Sequence, residues 1–200
     1  KTLLENSILI LKKFGIEKIV INTHHLSNNI KKYVNKKNFN VDITIVEEKN
    51  SILDTGGGIF NASKIFNEEP FIVLNPDTIW NDEYISEFNN MEKIFFEKKI
   101  PILLLVNKNK SFDKSFKGDF NLSDNGLISK NKSNRMIYTG AQIIDRKIFK
   151  NCTNEPFSIN RIWDELIAKK HLIGLESYQN FFHLNSNAIY KKLTENYFTR

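Results

Sequence analysis

The 200-residue sequence predicts a three-layer α/β/α fold, with helices on both faces of a mostly parallel, mixed sheet. Three observations predict it. Helix-like and strand-like segments alternate from the first residues onward. The strands are short aliphatic runs of the kind buried on both faces. A glycine-rich motif and an Asn-Pro-Asp motif each follow such a run, where open α/β sheets bind ligands.

The elements follow in order. Thr2 and Glu5 are spaced as a capping box, apolar positions Leu3, Leu4, Ile8, Leu11 and Phe14 recur at helical intervals, and Gly15 ends the segment. Lys18 to Asn22 is a strand, Ser27 to Asn35 a helix, and Val41 to Val46 a strand. A glycine-started helix spans Gly56 to Phe66, and Phe71 to Leu74 is a strand running into Asn75-Pro76-Asp77. A helix from Asp82 to Phe96 precedes a buried strand from Ile100 to Val106. The second half changes character. A lysine-rich loop (Lys108 to Lys117) leads to a hairpin from Gly118 to Ser129, turning at Asp124-Asn125-Gly126. Met136 to Ile144 is a strand, Ser158 caps a helix through Ala168, and Leu172 to Leu175 and Phe181 to Leu184 are short strands. Asn187 to Tyr197 is the closing helix. No repeat or linker divides the chain, so a single domain over 1–200 is expected.

Composition narrows the function classes. A hydrophobic fraction of 40% with 16 Phe fits a packed core. No apolar run is long enough for a membrane span, and no signal-peptide pattern is read at the start. The single cysteine, Cys152, excludes an internal disulfide framework and suits a reducing cytoplasm. One Cys and four dispersed His give no zinc-ligand spacing. The net charge of +6 comes from lysines such as Lys12, Lys13, Lys31, Lys32, Lys36 and Lys37 on polar helix faces. They form no basic stripe interleaved with aromatics, so no nucleic-acid partner is expected.

Two constellations carry chemistry. In Leu53-Asp54-Thr55-Gly56-Gly57-Gly58-Ile59 the glycines let backbone approach a ligand, and the helix start offers free N–H groups. A helix-starting turn is the plainer reading of the same residues. In Asn75-Pro76-Asp77 a carboxylate at the sheet edge suits a hard cation that keeps waters and shares phosphate oxygens, although Asp also caps turns. Together, one βα unit apart, they favour a ligand site.

These two motifs, extended to Ile52–Ile59 and Leu74–Trp80, resemble the bacterial sugar-1-phosphate nucleotidyltransferases. The resemblance is strongest to the branch holding N-acetylmuramate-1-phosphate uridylyltransferases and mannose-1-phosphate guanylyltransferase-like proteins. Val20 to Leu26, Gly118-Asp119-Phe120, Tyr138 to Ile143 and Phe157 to Asp164 also resemble that branch, in family order along nearly the whole chain. The resemblance implies a Rossmann-like fold with a nucleotide-binding half (1–107) and a sugar-phosphate-binding half (108–200). It implies transfer of a nucleotidyl group from a nucleoside triphosphate (UTP or GTP) to a sugar-1-phosphate, with Mg²⁺. The residues it assigns are Asp77 as the catalytic metal ligand, with His183 as a second metal ligand. Asp54, Thr55, Gly56, Gly57 and Asn75 fall to the nucleotide, with the two glycines against the base. Gly118, Asp119, Gly140 and Asn160 fall to the sugar phosphate, Gly140 leaving room for the sugar ring. Lys130 is a weaker candidate for phosphate contact.

Two departures from the family pattern matter. Relatives start with a strand and a glycine-rich loop bearing Arg, which hold the triphosphate; this sequence opens at Lys1-Thr2-Leu3-Leu4-Glu5, which resembles the segment just after them. The sequence is therefore expected to be an N-terminally shortened form, inactive or nearly so, with an apolar sheet position left open and solubility lowered. Secondly, where many relatives carry Asp-Val-Gly-Thr, this chain reads Phe182-His183-Leu184-Asn185-Ser186. A non-catalytic nucleotide- or sugar-binding subunit of the same fold is the alternative. A glycosyltransferase is disfavoured because the edge motif is Asn75-Pro76-Asp77 and not Asp-x-Asp.

Overall fold

The computed structural model describes residues 1–48, 51–67 and 69–195. Helix α1 (Leu3–Phe14) begins as the capping box requires: Thr2 Oγ1 accepts from the Glu5 N–H, and Gly15 closes the helix at φ +100°, a conformation that favours glycine. Strand β1 (Lys18–Thr23) and β2 (Asp42–Glu47), joined through α2 (Ser27–Lys36), pair in parallel from Lys18 opposite Asp42 to Thr23 opposite Glu47. After α3 (Asp54–Ser63) the chain enters a four-stranded sheet. It is built from β3 (Phe71–Leu74), β4 (Ile102–Asn107), β7 (Met136–Ile144) and β8 (Ile173–Ser177), in the order β3-β7-β4-β8. The hairpin β5 (Asn121–Leu122) and β6 (Ile128–Ser129) stands apart from it. Strand β7 alone in that sheet runs against its neighbours; β4 and β8 are parallel.

The residue alternation along β4 shows why the sheet needs two helical layers. Leu103 and Leu105 point into a core with Phe120, Phe157 and Trp163, the last on α5 (Ile159–Ala168). Ile102 and Leu104 point the other way, onto Trp80 and onto Phe88, Met91 and Phe95 of α4 (Tyr84–Lys98). The strand β3 divides in the same manner, with Phe71 and Val73 on the first core and Ile72 and Leu74 on the second. Period-two burial on both faces is the signature of the α/β/α arrangement. No helix among the described residues is long and apolar enough to cross a membrane.

Three readings of the sequence change in detail. β1 is only partly buried, because β1 bonds to β2 on one side and β3 bonds to β7, and their other edges have no strand partner among the described residues. A cavity of about 170 Å³, lined by Ile8, Leu11, Ile19, Ile21, Ile72 and Leu74 among others, lies between the two edges. The second change concerns Phe181 to Leu184, which is not a strand. Its backbone stitches two loops alternately: Phe181 bonds to Lys110 and Phe112, Phe182 accepts from Ile79, and Leu184 donates to Asp77. Only isolated bridges result, to Ser111 and Thr78. Thirdly, of the closing helix, α6 covers Asn187–Leu193, while residues 196 and 197 lie outside the described residues.

Candidate active site

The end of β3 delivers Asn75, Pro76 and Asp77 to the sheet edge, and two contacts hold that turn in place. The Asn75 N–H donates to the Gly140 carbonyl of β7 at 2.8 Å, and the Trp80 indole donates to the Asn75 carbonyl at 3.1 Å. Gly140 has φ +97°, and a Cβ there would sit 2.7 Å from the Asn75 Cβ. The room left by this glycine is therefore filled by Asn75, not by a sugar ring. Its part in the site is indirect: it lets the β3 turn lie close against β7.

Asp77 meets His183, with Oδ2 3.0 Å from Nε2. The backbone brings them together, since the Leu184 N–H donates to the Asp77 carbonyl at 2.7 Å. The imidazole is packed between the rings of Phe116 and Phe181. Asp77 Oδ1 and His183 Nδ1 are both buried without a hydrogen-bond partner. A magnesium ion held on phosphate oxygens and waters needs only one or two protein carboxylates, and the spare oxygen of Asp77 fits that use. A cage made wholly of protein does not form: among the described residues no group of three or more His, Cys, Asp or Glu is placed to hold a metal.

Beside this pair opens a cavity of about 270 Å³ whose lining includes Asp54, Thr55, Asn75, Asp119, Tyr138 and Asn160. Thus five of the sequence-predicted residues come together with Tyr138. The Asp119 carboxylate is fixed by the Tyr138 N–H, which donates to Oδ2 at 2.9 Å. Thr55 Oγ1 accepts from the Ile159 N–H at 3.0 Å, tying the start of α3 to the start of α5. Ser158 caps α5 by accepting from the Asn160 N–H, so Asn160 projects from the first turn. Among the described residues no lysine or arginine lines the cavity. Lys130 is not in the lining but stands against it, 3.4 Å from the Asn160 Oδ1, and is paired at 2.6 Å with Asp164.

The glycine triplet behaves differently from the expectation. Helix α3 starts at Asp54, so Gly56 to Gly58 lie inside it and are buried. The N–H groups of Gly56 and Gly57 both donate to the Phe157 carbonyl, at 2.9 and 3.1 Å, and are not free for a ligand. The faces left bare are filled too: Gly56 abuts Phe157 and Ile159, Gly57 abuts Glu155, and Gly58 abuts Asn22 and Glu48. The residues of that motif that line the cavity are Asp54, Thr55 and Ile59, with Asp54 held at φ +60°. Gly118 is likewise packed, with φ +93° and the Asn134 carbonyl 2.5 Å from where a Cβ would sit. It sets the backbone that aims Asp119.

Sequence reasoning assigned no role to Tyr138, Gln142 and Trp163, which line the same cavity. Trp163 Nε1 donates to Gln142 Oε1 at 3.2 Å, and the Tyr138 hydroxyl is buried beside the same Gln142. Burial, with the Asp77 carboxylate adding to it, pushes the Tyr138 phenol well above its usual range. The motif containing each residue was visible; its inward direction required the reversed strand β7 and the face of α5.

Comparison with known proteins supports the fold and the resemblance. No protein-family model matches the chain. The N-acetylmuramate alpha-1-phosphate uridylyltransferase of Caulobacter vibrioides is 25% identical over 182 residues, 88% of this chain and 75% of that protein. A UDP-glucose pyrophosphorylase solved with UDP-glucose superposes with a TM-score of 0.78 at 16% identity, covering 99% of this chain and 87% of the other. HddC from Yersinia pseudotuberculosis, solved with GMP-PN, gives 0.71 at 21% identity, covering 96% and 84%. The Rossmann-like fold and the resemblance read from the motifs are thereby shown.

Proposed function

We propose that this chain, which sequence and fold relate to the sugar-1-phosphate nucleotidyltransferases, holds the catalytic domain of such an enzyme. The reaction is attack by a phosphate oxygen of a sugar-1-phosphate on the α-phosphorus of a nucleoside triphosphate. A new P–O bond forms, the bond between the α-phosphorus and the bridging oxygen breaks, and pyrophosphate leaves. The observation that carries this reading is the convergence of Asp54, Thr55, Asn75, Asp119 and Asn160 on one cavity beside Asp77.

In this reading residues 1–107 supply the nucleotide side through Asp54, Thr55 and Asn75, and residues 108–200 the sugar-phosphate side through Asp119 and Asn160. Asp77 binds Mg²⁺, which when present neutralises charge on the phosphates. His183 orients the Asp77 carboxylate through their 3.0 Å contact. Asp119 and Asn160 offer an acceptor and an amide suited to sugar hydroxyls, and the Trp163 ring offers an apolar wall. Phosphoryl-transfer chemistry rests on positioning and charge neutralisation. Among the described residues none that lines the cavity is a lysine or arginine, so those residues offer the charge gathering on departing pyrophosphate no cation there. The chain by itself is accordingly proposed to bind its substrates and turn them over slowly or not at all.

The candidate pairs are UTP with N-acetylmuramate-1-phosphate and GTP with mannose-1-phosphate. Pyrophosphate release from each pair, with Mg²⁺ and beside Asp77→Ala, tests the turnover claim, and calorimetric titration with the matching nucleotide sugars tests binding. Sugar-nucleotide binding with little turnover supports both parts. Fast turnover in one pair would keep the family reading and remove the claim about the leaving group. A folded chain that binds none of these ligands would remove the site.

A further inference from the structure

A second concavity, remote in role from the first, lies where the turn after β7 meets a different face of α5. Its lining includes Lys147 and Lys150 from the single-turn helix Arg146–Phe149 and its C-cap, and Arg161, Glu165 and Lys169 from the α5 region. The volume is about 350 Å³, within the roughly 300–1,000 Å³ of small-molecule sites. Four cations face one carboxylate there.

The cluster is set apart by the gathering of four cations in one hollow, not by their lack of ion pairs, which most described lysines and arginines share. Lys13, Lys31, Lys37 and Lys130 each have a carboxylate within salt-bridge distance. Among the described residues, none of Lys147, Lys150, Arg161 and Lys169 takes part in an ion pair. Arg161 is also held in position: its guanidinium lies 4.5 Å from the Phe157 ring centroid, and Nη2 is 3.5 Å from Cys152 Sγ. An adjoining hollow adds Arg146 beside the same Lys147, Lys150 and Cys152. Like charges gathered on a concave wall repel one another, and an anion seated between them removes that repulsion while accepting charge-assisted hydrogen bonds.

We propose that this cavity binds a small polyvalent anion of the diphosphate class, at a site distinct from the candidate active site and independent of a divalent metal. More than one phosphate group is needed to reach cations on both walls. Because α5 also carries Asn160 and Trp163 into the first cavity, occupancy here bears on the geometry there.

The test is calorimetric titration of the full chain with inorganic pyrophosphate in EDTA, at fixed ionic strength. Saturable binding is expected, weakened about tenfold or more by Lys147→Gln with Arg161→Gln, which together remove two charge-assisted contacts. The Lys147→Arg variant should retain binding, and Lys32→Gln with Lys36→Gln, an equal charge change on α2, should leave it unchanged. Melting curves confirm that each variant is folded. Three outcomes would overturn the proposal: no saturable binding, an equal loss in the α2 variant, or a change of affinity in Asp119→Asn with no change in the Lys147/Arg161 variant. The second would mean diffuse surface charge, and the third would put the pyrophosphate in the first cavity.

Discussion

Adding one methyl group at Gly56 tests how the site is held. This glycine lies in the first turn of α3, against the segment that starts α5. An alanine Cβ there would lie 2.4 and 2.5 Å from two Phe157 ring carbons and 2.9 Å from the Ile159 nitrogen. The ring is buried and has little space to retreat, and the Ile159 nitrogen is backbone already bonded to Thr55 Oγ1. Alanine in a helix gains about 1 kcal/mol over glycine. Overpacking of a close contact costs about 1–3 kcal/mol, and three contacts below 3.0 Å place Gly56→Ala at the upper end. The net expectation is destabilisation by about 2 kcal/mol, or a fall in Tm of about 4–8 °C for a chain of this size. Parting α3 from α5 also separates Thr55 from Asn160, so nucleotide-sugar binding should weaken in the same variant. Gly57→Ala, whose Cβ would come no closer than 3.0 Å to Leu53 and 3.2 Å to the Glu155 carbonyl, serves as the milder comparison. Thermal melts of the three proteins decide it. A Gly56→Ala protein as stable as the parent would refute the claim that the triplet serves the α3–α5 contact.

Two further outcomes follow from buried polar groups. Gln142→Leu leaves the Trp163 indole N–H without its acceptor at a buried position, which should cost about 1–3 kcal/mol in urea unfolding. Glu87 is buried on α4, and that burial raises its carboxyl above the ordinary range against the lowering effect of its hydrogen bonds. A carboxyl raised on folding binds its proton more tightly in the native state. Its contribution is therefore fully present below the unfolded value of about 4.3 and is lost as pH rises through the folded value. Glu87→Gln keeps an acceptor for the Tyr178 N–H, now at 3.0 Å, and removes the charge. Its stability relative to the parent should rise across that window, as read from denaturant midpoints at pH 4 to 7. A constant difference across the range would mean that the carboxyl is not the cause.

Much of this architecture was readable because it depends on local rules. Thr2, Gly15 and Ser158 mark helix ends with their own side chains or backbone freedom, and the apolar runs at 71–74 and 102–106 read as strands. What escaped reading depends on partners distant in sequence. The glycine triplet looks ligand-facing until the Phe157 carbonyl, a hundred residues later, is found on its N–H groups. Gly140 likewise reads as space for a ligand, because its occupant, Asn75, comes from another strand. The residues from 181 to 184 have strand-like composition, yet their bonds go alternately to two loops. In the site, Asp77 and Asp119 were legible from motifs, whereas Tyr138, Gln142 and Trp163 needed the reversed direction of β7 before their inward faces were known.

The central question is whether the cavity between Asp54 and Asn160 holds a nucleotide sugar. Calorimetric titration of the chain with UDP-N-acetylmuramate and GDP-mannose, repeated with Asp119→Asn and with the folded Lys32→Gln control, measures it. One of the two ligands should bind saturably to the parent and the control, and about tenfold more weakly to Asp119→Asn, which loses a charged acceptor. Equal binding by Asp119→Asn, or no binding by a chain whose melt shows it folded, would contradict the assignment of this cavity.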